Sequence, residues 1–65
     1  MYQVELVWNR EFDWRTYGAP HDTLAAAIKS AEYIENSGDG ARVKKSRVVD
    51  SEGEICWQYG REVRP

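Results

Sequence analysis

The sequence has few of the residues that small proteins use for covalent or metal-based stabilisation. Among 65 residues there is one cysteine, Cys56, and one histidine, His21. One cysteine cannot form an internal disulfide, and the pair falls short of the four ligands of a structural zinc site. The sequence therefore predicts a chain without metal or cofactor, and a reducing cytoplasm is the simplest location.

Long hydrophobic runs are also missing. No segment approaches the roughly 20 apolar residues that a membrane-spanning helix needs. The first residues, MYQVELVW, alternate in polarity and lack the basic start and apolar run of a signal peptide. We therefore expect a soluble cytoplasmic protein with no membrane partner.

Aromatic residues are what the sequence has in quantity, with three Trp, four Tyr and one Phe. A chain of this length forms one domain, residues 1–65, and buries only about 60% of the surface that it exposes when unfolded. Large aromatic side chains can supply a core in so small a protein. A homo-oligomer is the other way to cover apolar surface, and the sequence leaves it open.

The first part of the chain predicts a hairpin. Apolar and polar residues alternate in YQVELVW, which indicates a strand over about 2–9. Asn9 and Arg10 then predict a turn, and FDWRTY predicts a second strand over about 12–17. The following Gly-Ala-Pro ends that strand, because proline cannot donate to a ladder.

A helix over about 23–36 is the clearest element. Apolar residues recur there at i, i+3, i+4, i+7 and i+10, starting from Leu24. Asp22 or Thr23 is placed to cap its first turn, and Gly38 is placed to terminate it.

The last part predicts a second hairpin, with strands over about 42–49 and 54–59 around the turn DSEG. The order is ββαββ, an α+β fold in which an antiparallel sheet of three to four strands packs on one face against one helix. The predicted core consists of the apolar residues on the inward positions of these elements: Val4, Leu6, Trp8, Phe12, Trp14, Leu24, Ile28, Ala31, Ile34, Val49, Ile55 and Trp57.

Charge is unevenly distributed along the chain. Residues 1–40 carry a net charge of −4 and residues 41–65 a net charge of +2. Four cations lie in ARVKKSRVV: Arg42, Lys44, Lys45 and Arg47. They occupy both phases of the predicted strand, so neither face is apolar throughout. Two interpretations follow, a strand at the sheet edge or a bulge between Val43 and Val48, and both leave the cations solvated.

No residue pattern predicts catalysis. His21 and Asp22 are adjacent at a helix start, where Asp22 is better explained as a cap. Cys56 is predicted in a strand without an activating base, and the spacing of DSEGE does not match a calcium loop. The sequence favours a protein that is not an enzyme.

The stretch NREFDWR interleaves aromatics with charges of both signs. Single-strand nucleic-acid readers combine aromatics with a positive groove, but here acids match bases one for one. Core aromatics on an exposed strand are the favoured interpretation. Trp, Tyr and Arg are nevertheless the residues that dominate protein-binding hot spots.

The combination of YQVELVW, TLAAAIKSAEYI and RVVDSEGEICW resembles the compact strand-helix-hairpin proteins of phage and bacterial genomes. Some phage-encoded anti-CRISPR proteins share this size and layout. The resemblance implies a protein-binding inhibitor that occludes a surface of a bacterial defence complex. The alternative is a weak nucleic-acid-binding accessory protein that uses the basic strand. The candidate contact residues are Arg42, Lys44, Lys45, Arg47, Glu5, Glu11, Asp13 and Arg15.

Overall fold

The computed structural model describes residues 1–36, 43–58 and 61–62. The elements in chain order are β1 (Tyr2–Trp8), β2 (Arg15–His21), α1 (Leu24–Asn36), β3 (Val43–Val49), β4 (Ile55–Gln58) and β5 (Arg61–Glu62). All neighbouring strands pair antiparallel, in the order β2-β1-β3-β4-β5. The predicted α+β fold with ββαββ order is confirmed, with β5 added at one edge.

The helix packs on one face of the sheet and makes its contacts with β1, β2 and β3. Thr23 begins it: the Thr23 Oγ1 accepts a hydrogen bond from the Ala26 amide at 3.2 Å. Of the two predicted caps, Thr23 is therefore the one used. The predicted C-terminal cap, Gly38, lies outside the described residues.

The core lies between the helix and strands β1, β3 and β4. Its buried members come from α1, β1, β3 and β4: Val4, Leu6, Ala27, Ala31, Ile34, Val48 and Trp57. Three other predicted core residues, Trp8, Leu24 and Ile28, are partly buried against this cluster. Because residues alternate along a strand, Glu5 and Val7 face the opposite side of the sheet, here called the outer face.

The alternating pattern predicts Phe12 and Ile55 as core residues, and for both residues this prediction is wrong. Phe12 is 88% exposed and Ile55 is 37% exposed. Ile55 is displaced because the register shifts between β3 and β4: Val48 pairs with Trp57 and Val49 with Ile55, which leaves Cys56 unpaired. In a regular strand Ile55 and Trp57 would lie on the same face of the sheet, and the bulge removes Ile55 from that arrangement.

The second strand lies later in the chain than predicted. A hydrogen bond from the Glu11 amide to the Trp8 carbonyl (2.9 Å) closes the predicted turn, but β2 begins only at Arg15 and continues to His21. The strand passes through Gly-Ala-Pro by bulging: Tyr2 pairs with His21 and Val4 with Tyr17, so three residues oppose Gln3 alone. Gly18 has a φ of 71°, a conformation that glycine adopts at low cost.

Gln3 fills the gap that this bulge opens. Its Nε2 donates to the carbonyl oxygens of Tyr17 (3.3 Å) and Gly18 (3.2 Å), where the bulge begins. The Gln3 side chain thus bonds to β2 at the bulge, and the interruption predicted after residue 17 is a bulge within one strand.

The basic strand is not at the edge of the sheet, because β3 lies between β1 and β4. The alternative interpretation, a bulge, is confirmed. Val7 pairs with Lys45 and Trp8 with Val43, so Lys44 has no partner in β1. The bulge resets the phase: Val43, Ser46 and Val48 all face the helix, and Lys45 and Arg47 lie on the outer face.

Candidate functional site

The connection between β1 and β2, residues 9–14, contains the most exposed aromatic side chain among the described residues; we call it the aromatic loop. Phe12 is 88% exposed in it. The Lys44 Nζ lies 4.7 Å from the centre of the Phe12 ring and donates to the Glu11 carbonyl oxygen at 3.0 Å. Lys44, from the β3 bulge, therefore contacts both the loop backbone and the Phe12 ring.

Trp14, at the other end of the aromatic loop, lies over the outer face. Its ring centre is 3.9 Å from the Arg47 Cζ and 5.1 Å from the Lys45 Nζ. The Arg47 Nε also donates to the Glu5 Oε1 at 2.7 Å, and the two side chains are only 22% and 20% exposed. Arg47 is therefore engaged both by stacking on Trp14 and by the ion pair with Glu5. The prediction that the cations of ARVKKSRVV are solvated is wrong for Arg47.

A second ion pair closes the aromatic loop itself. The Arg15 Nε donates to the Glu11 Oε1 at 2.6 Å, on side chains that are much more exposed than those of the first pair. Exposed pairs contribute little to stability, so its effect is mainly on the charge of the surface. Arg10 and Asp13 are both exposed, and neither forms an ion pair within the part of the chain that the structure describes.

A concavity of about 540 Å³ lies at the start of the loop. Its lining among the described residues is Trp8, Asn9, Arg10 and Glu11. An exposed ring and an open depression are therefore separated by only a few residues of one loop.

The structure brings most predicted contact residues to one surface: Lys44, Lys45, Arg47, Glu5, Glu11 and Arg15 are joined by the contacts above. Asp13 lies in the same loop, and Arg42 falls outside the described residues. The sequence reasoning placed Phe12 and Trp14 in the core instead of on this surface. The signal that could have found them is NREFDWR, where each of the two aromatics has a charged neighbour on both sides.

The other chemical groups have structural roles. The Asp50 Oδ1 accepts the amides of Glu52 (2.9 Å) and Glu54 (3.0 Å), which makes it a turn residue. Partial burial raises the pKa of the Cys56 thiol, and the Asp50 and Glu54 carboxylates raise it further, although a hydrogen bond involving the Asp50 backbone acts against them. A raised pKa is the opposite of what a nucleophilic cysteine needs.

Residues 1–36, 43–58 and 61–62 contain no group of three or more His, Cys, Asp or Glu side chains arranged to hold a metal ion. No helix in these ranges has the length and apolar character to cross a membrane. Comparison with protein-family models, curated proteins and solved structures gave no match.

Proposed function

We propose that the protein is a non-enzymatic protein-binding module that uses the aromatic loop as its contact surface. The observation that carries the proposal is Phe12, a large apolar ring that is 88% exposed and whose described cation contact is the Lys44 Nζ, 4.7 Å from its centre. The apolar surface of such a ring is removed from water when another molecule covers it, which favours binding.

The charges on this surface support a protein partner over a nucleic acid. Arg47 is paired with Glu5 and Arg15 with Glu11, so two of the cations are already neutralised within the chain. Lys44 is engaged by the Phe12 ring and the Glu11 carbonyl. The acidic candidates Glu5 and Glu11 are paired in the same way, and only Asp13 has no cation partner among the described residues, so these acids do not form a stripe of free negative charge that could imitate a nucleic acid.

The finer proposal is that the partner is a bacterial defence complex of the CRISPR type, and that the protein is a phage-encoded inhibitor acting in the host cytoplasm. The support is the size and layout that it shares with some anti-CRISPR proteins. Inhibition would be by occlusion, since a partner interface of roughly 800 Å² per side is a large share of a surface of 4588 Å².

The experiment is affinity capture from bacterial lysates, followed by affinity measurement with the purified partner. Phe12→Ala is compared with Tyr33→Ala, which removes another exposed aromatic ring from the outside of α1. We expect Phe12→Ala to weaken binding at least about tenfold and Tyr33→Ala to leave it unchanged. Equal effects of the two substitutions, or no captured partner from several hosts, would count against the proposal.

Titration of labelled DNA and RNA at two salt concentrations tests the alternative, in which the basic strand 42–47 binds nucleic acid. We expect no binding even at low salt. Binding that falls steeply with salt and is lost in Lys44→Ala and Lys45→Ala variants would favour the alternative instead.

A further inference from the structure

The aromatic loop carries both halves of a knob-and-hole contact. The knob is the Phe12 ring, which is 88% exposed and has the Lys44 Nζ 4.7 Å from its centre. The hole is the concavity of about 540 Å³ whose lining among the described residues is Trp8, Asn9, Arg10 and Glu11, a volume within the range of pockets that accept small ligands and therefore sufficient for one phenyl ring. Because the two lie in one loop, a second copy related by a two-fold axis offers its knob to the hole and its hole to the knob.

The loop also carries opposite charges that can pair between two copies in the same two-fold arrangement. Arg10 precedes Phe12 and Asp13 follows it, and neither forms an ion pair among the described residues. Arg10 lines the concavity and Asp13 is the residue after Phe12, so a contact that seats Phe12 of one copy in the concavity of the other would bring these opposite charges together, once in each direction. The remaining pair, Glu11 and Arg15, is already neutralised within each chain at 2.6 Å and adds no net repulsion.

The other common route to a dimer, addition of strands at a sheet edge, is obstructed at β2. This strand forms one edge of the described sheet, and it carries the Gly18–Pro20 bulge and a proline that has no amide to donate. A contact through side chains of the aromatic loop does not depend on this edge.

We infer that the protein forms a weak two-fold dimer in which Phe12 of each copy enters the Trp8–Glu11 concavity of the other. The inference rests on the proposed function, because it assigns a second copy of the chain to the same binding surface. A contact made by one short loop falls below the area of stable interfaces, so the dissociation constant is expected to be on the order of 10–100 μM. A protein partner that binds the loop then has to compete with the dimer.

Sedimentation velocity over protein concentrations from about 5 μM to about 1 mM tests this inference. We expect the wild type and Tyr33→Ala to pass from monomer to dimer over that range, and Phe12→Ala to remain monomeric throughout. A wild type that stays monomeric up to the highest concentration, or a Phe12→Ala variant that dimerises as the wild type does, would overturn it.

A charge exchange tests the two-fold geometry. Arg10→Asp alone and Asp13→Arg alone each place like charges opposite each other twice, so each should raise the dissociation constant about tenfold or more. The double variant Arg10→Asp/Asp13→Arg restores opposite charges and should return dimerisation to near the wild-type value. Failure of the double variant to recover would refute the assigned contact.

The two proposals can fail separately. If no dimer forms but Phe12→Ala still weakens binding to a purified partner protein, the dimer is refuted and the proposed function is retained. A dimer that forms as described, together with partner binding that does not change in Phe12→Ala, would overturn the proposed function and retain the dimer.

Discussion

The Trp14 side chain belongs to the aromatic loop, yet its ring stacks on cations of β3, a strand that follows the helix. Its ring lies 3.9 Å from the Arg47 Cζ, and Arg47 is in turn bound to Glu5 of β1 at 2.7 Å. Three parts of the chain therefore meet in one stack of ring, guanidinium and carboxylate. Val7 on the same outer face is fully buried, so the outer face is not simply a solvated surface.

A double-mutant cycle on Trp14 and Arg47 measures this stack. We expect Trp14→Ala to lower the free energy of unfolding by about 1–2 kcal/mol, because the ring packs against two cations of β3 and is itself partly buried. The coupling energy with Arg47→Ala should be about 0.5–1 kcal/mol. Urea unfolding of the four proteins gives both values, with Trp14→Phe as a control that keeps a ring; a coupling energy of zero would show that the ring and the guanidinium act independently.

Cys56 provides a pH-dependent test at the residue scale. Partial burial and the carboxylates of Asp50 and Glu54 raise its pKa, so the thiolate fraction at any given pH is smaller in the folded protein than in an ordinary thiol. We expect the rate of alkylation by iodoacetamide to rise with a midpoint at higher pH in the folded protein than in the same protein unfolded in urea. A folded-state midpoint at or below the unfolded one would contradict this.

Residue-level prediction from the sequence was weakest for the aromatics. Alternation identified Val4 and Leu6 correctly, because both lie in a regular part of β1. It failed for Phe12 and Trp14 because their segment is a loop that folds back over the sheet. Such a loop is positioned by Lys44 and Arg47, which are more than 30 residues away, and no local pattern contains that information.

At the scale of elements, the helix and the second hairpin were predictable because their signals are local. The Gly53 amide donates to the Asp50 carbonyl at 3.0 Å, and Gly53 has a φ of 82°, as the DSEG pattern implies. The placement of β2 and β3 was not local. β2 continues through its Gly-Ala-Pro because Gln3 bonds to the bulge, and β3 is interior because its bulge at Lys44 turns the charges away from the helix.

In the turn between β3 and β4, substitution of Gly53 tests the energetic cost of its backbone conformation alone. A Cβ added at Gly53 meets nothing within 4 Å, so any cost of a substitution comes from its positive φ. We expect Gly53→Ala to destabilise the protein by about 1 kcal/mol, and Gly53→Asn by less, because asparagine adopts this conformation more readily. Thermal unfolding of the two variants measures the difference; an alanine variant as stable as the wild type would rule out this cost.

At the scale of the whole molecule, stability is expected to depend mainly on the core at the helix side of the sheet, and binding on Phe12 in the aromatic loop. The core lies on the helix side and is small, with Trp57, 3% exposed, as its one buried aromatic among the described residues. The aromatic loop closes over the other side, where Phe12 has little protein around it. A chain of 65 residues has a total stability of roughly 3–10 kcal/mol, so substitutions on the two faces should differ sharply.

Trp57→Ala and Phe12→Ala form the matched pair that tests this separation. Truncation of a buried tryptophan costs about 3–5 kcal/mol, so Trp57→Ala should be largely unfolded or close to it in circular dichroism at 25 °C. Phe12→Ala should change the free energy of unfolding by no more than about 0.5 kcal/mol, since the ring has one cation contact and is otherwise in water. A large loss of stability in Phe12→Ala would mean that the ring is needed for folding, and its exposure could then no longer be explained by binding alone.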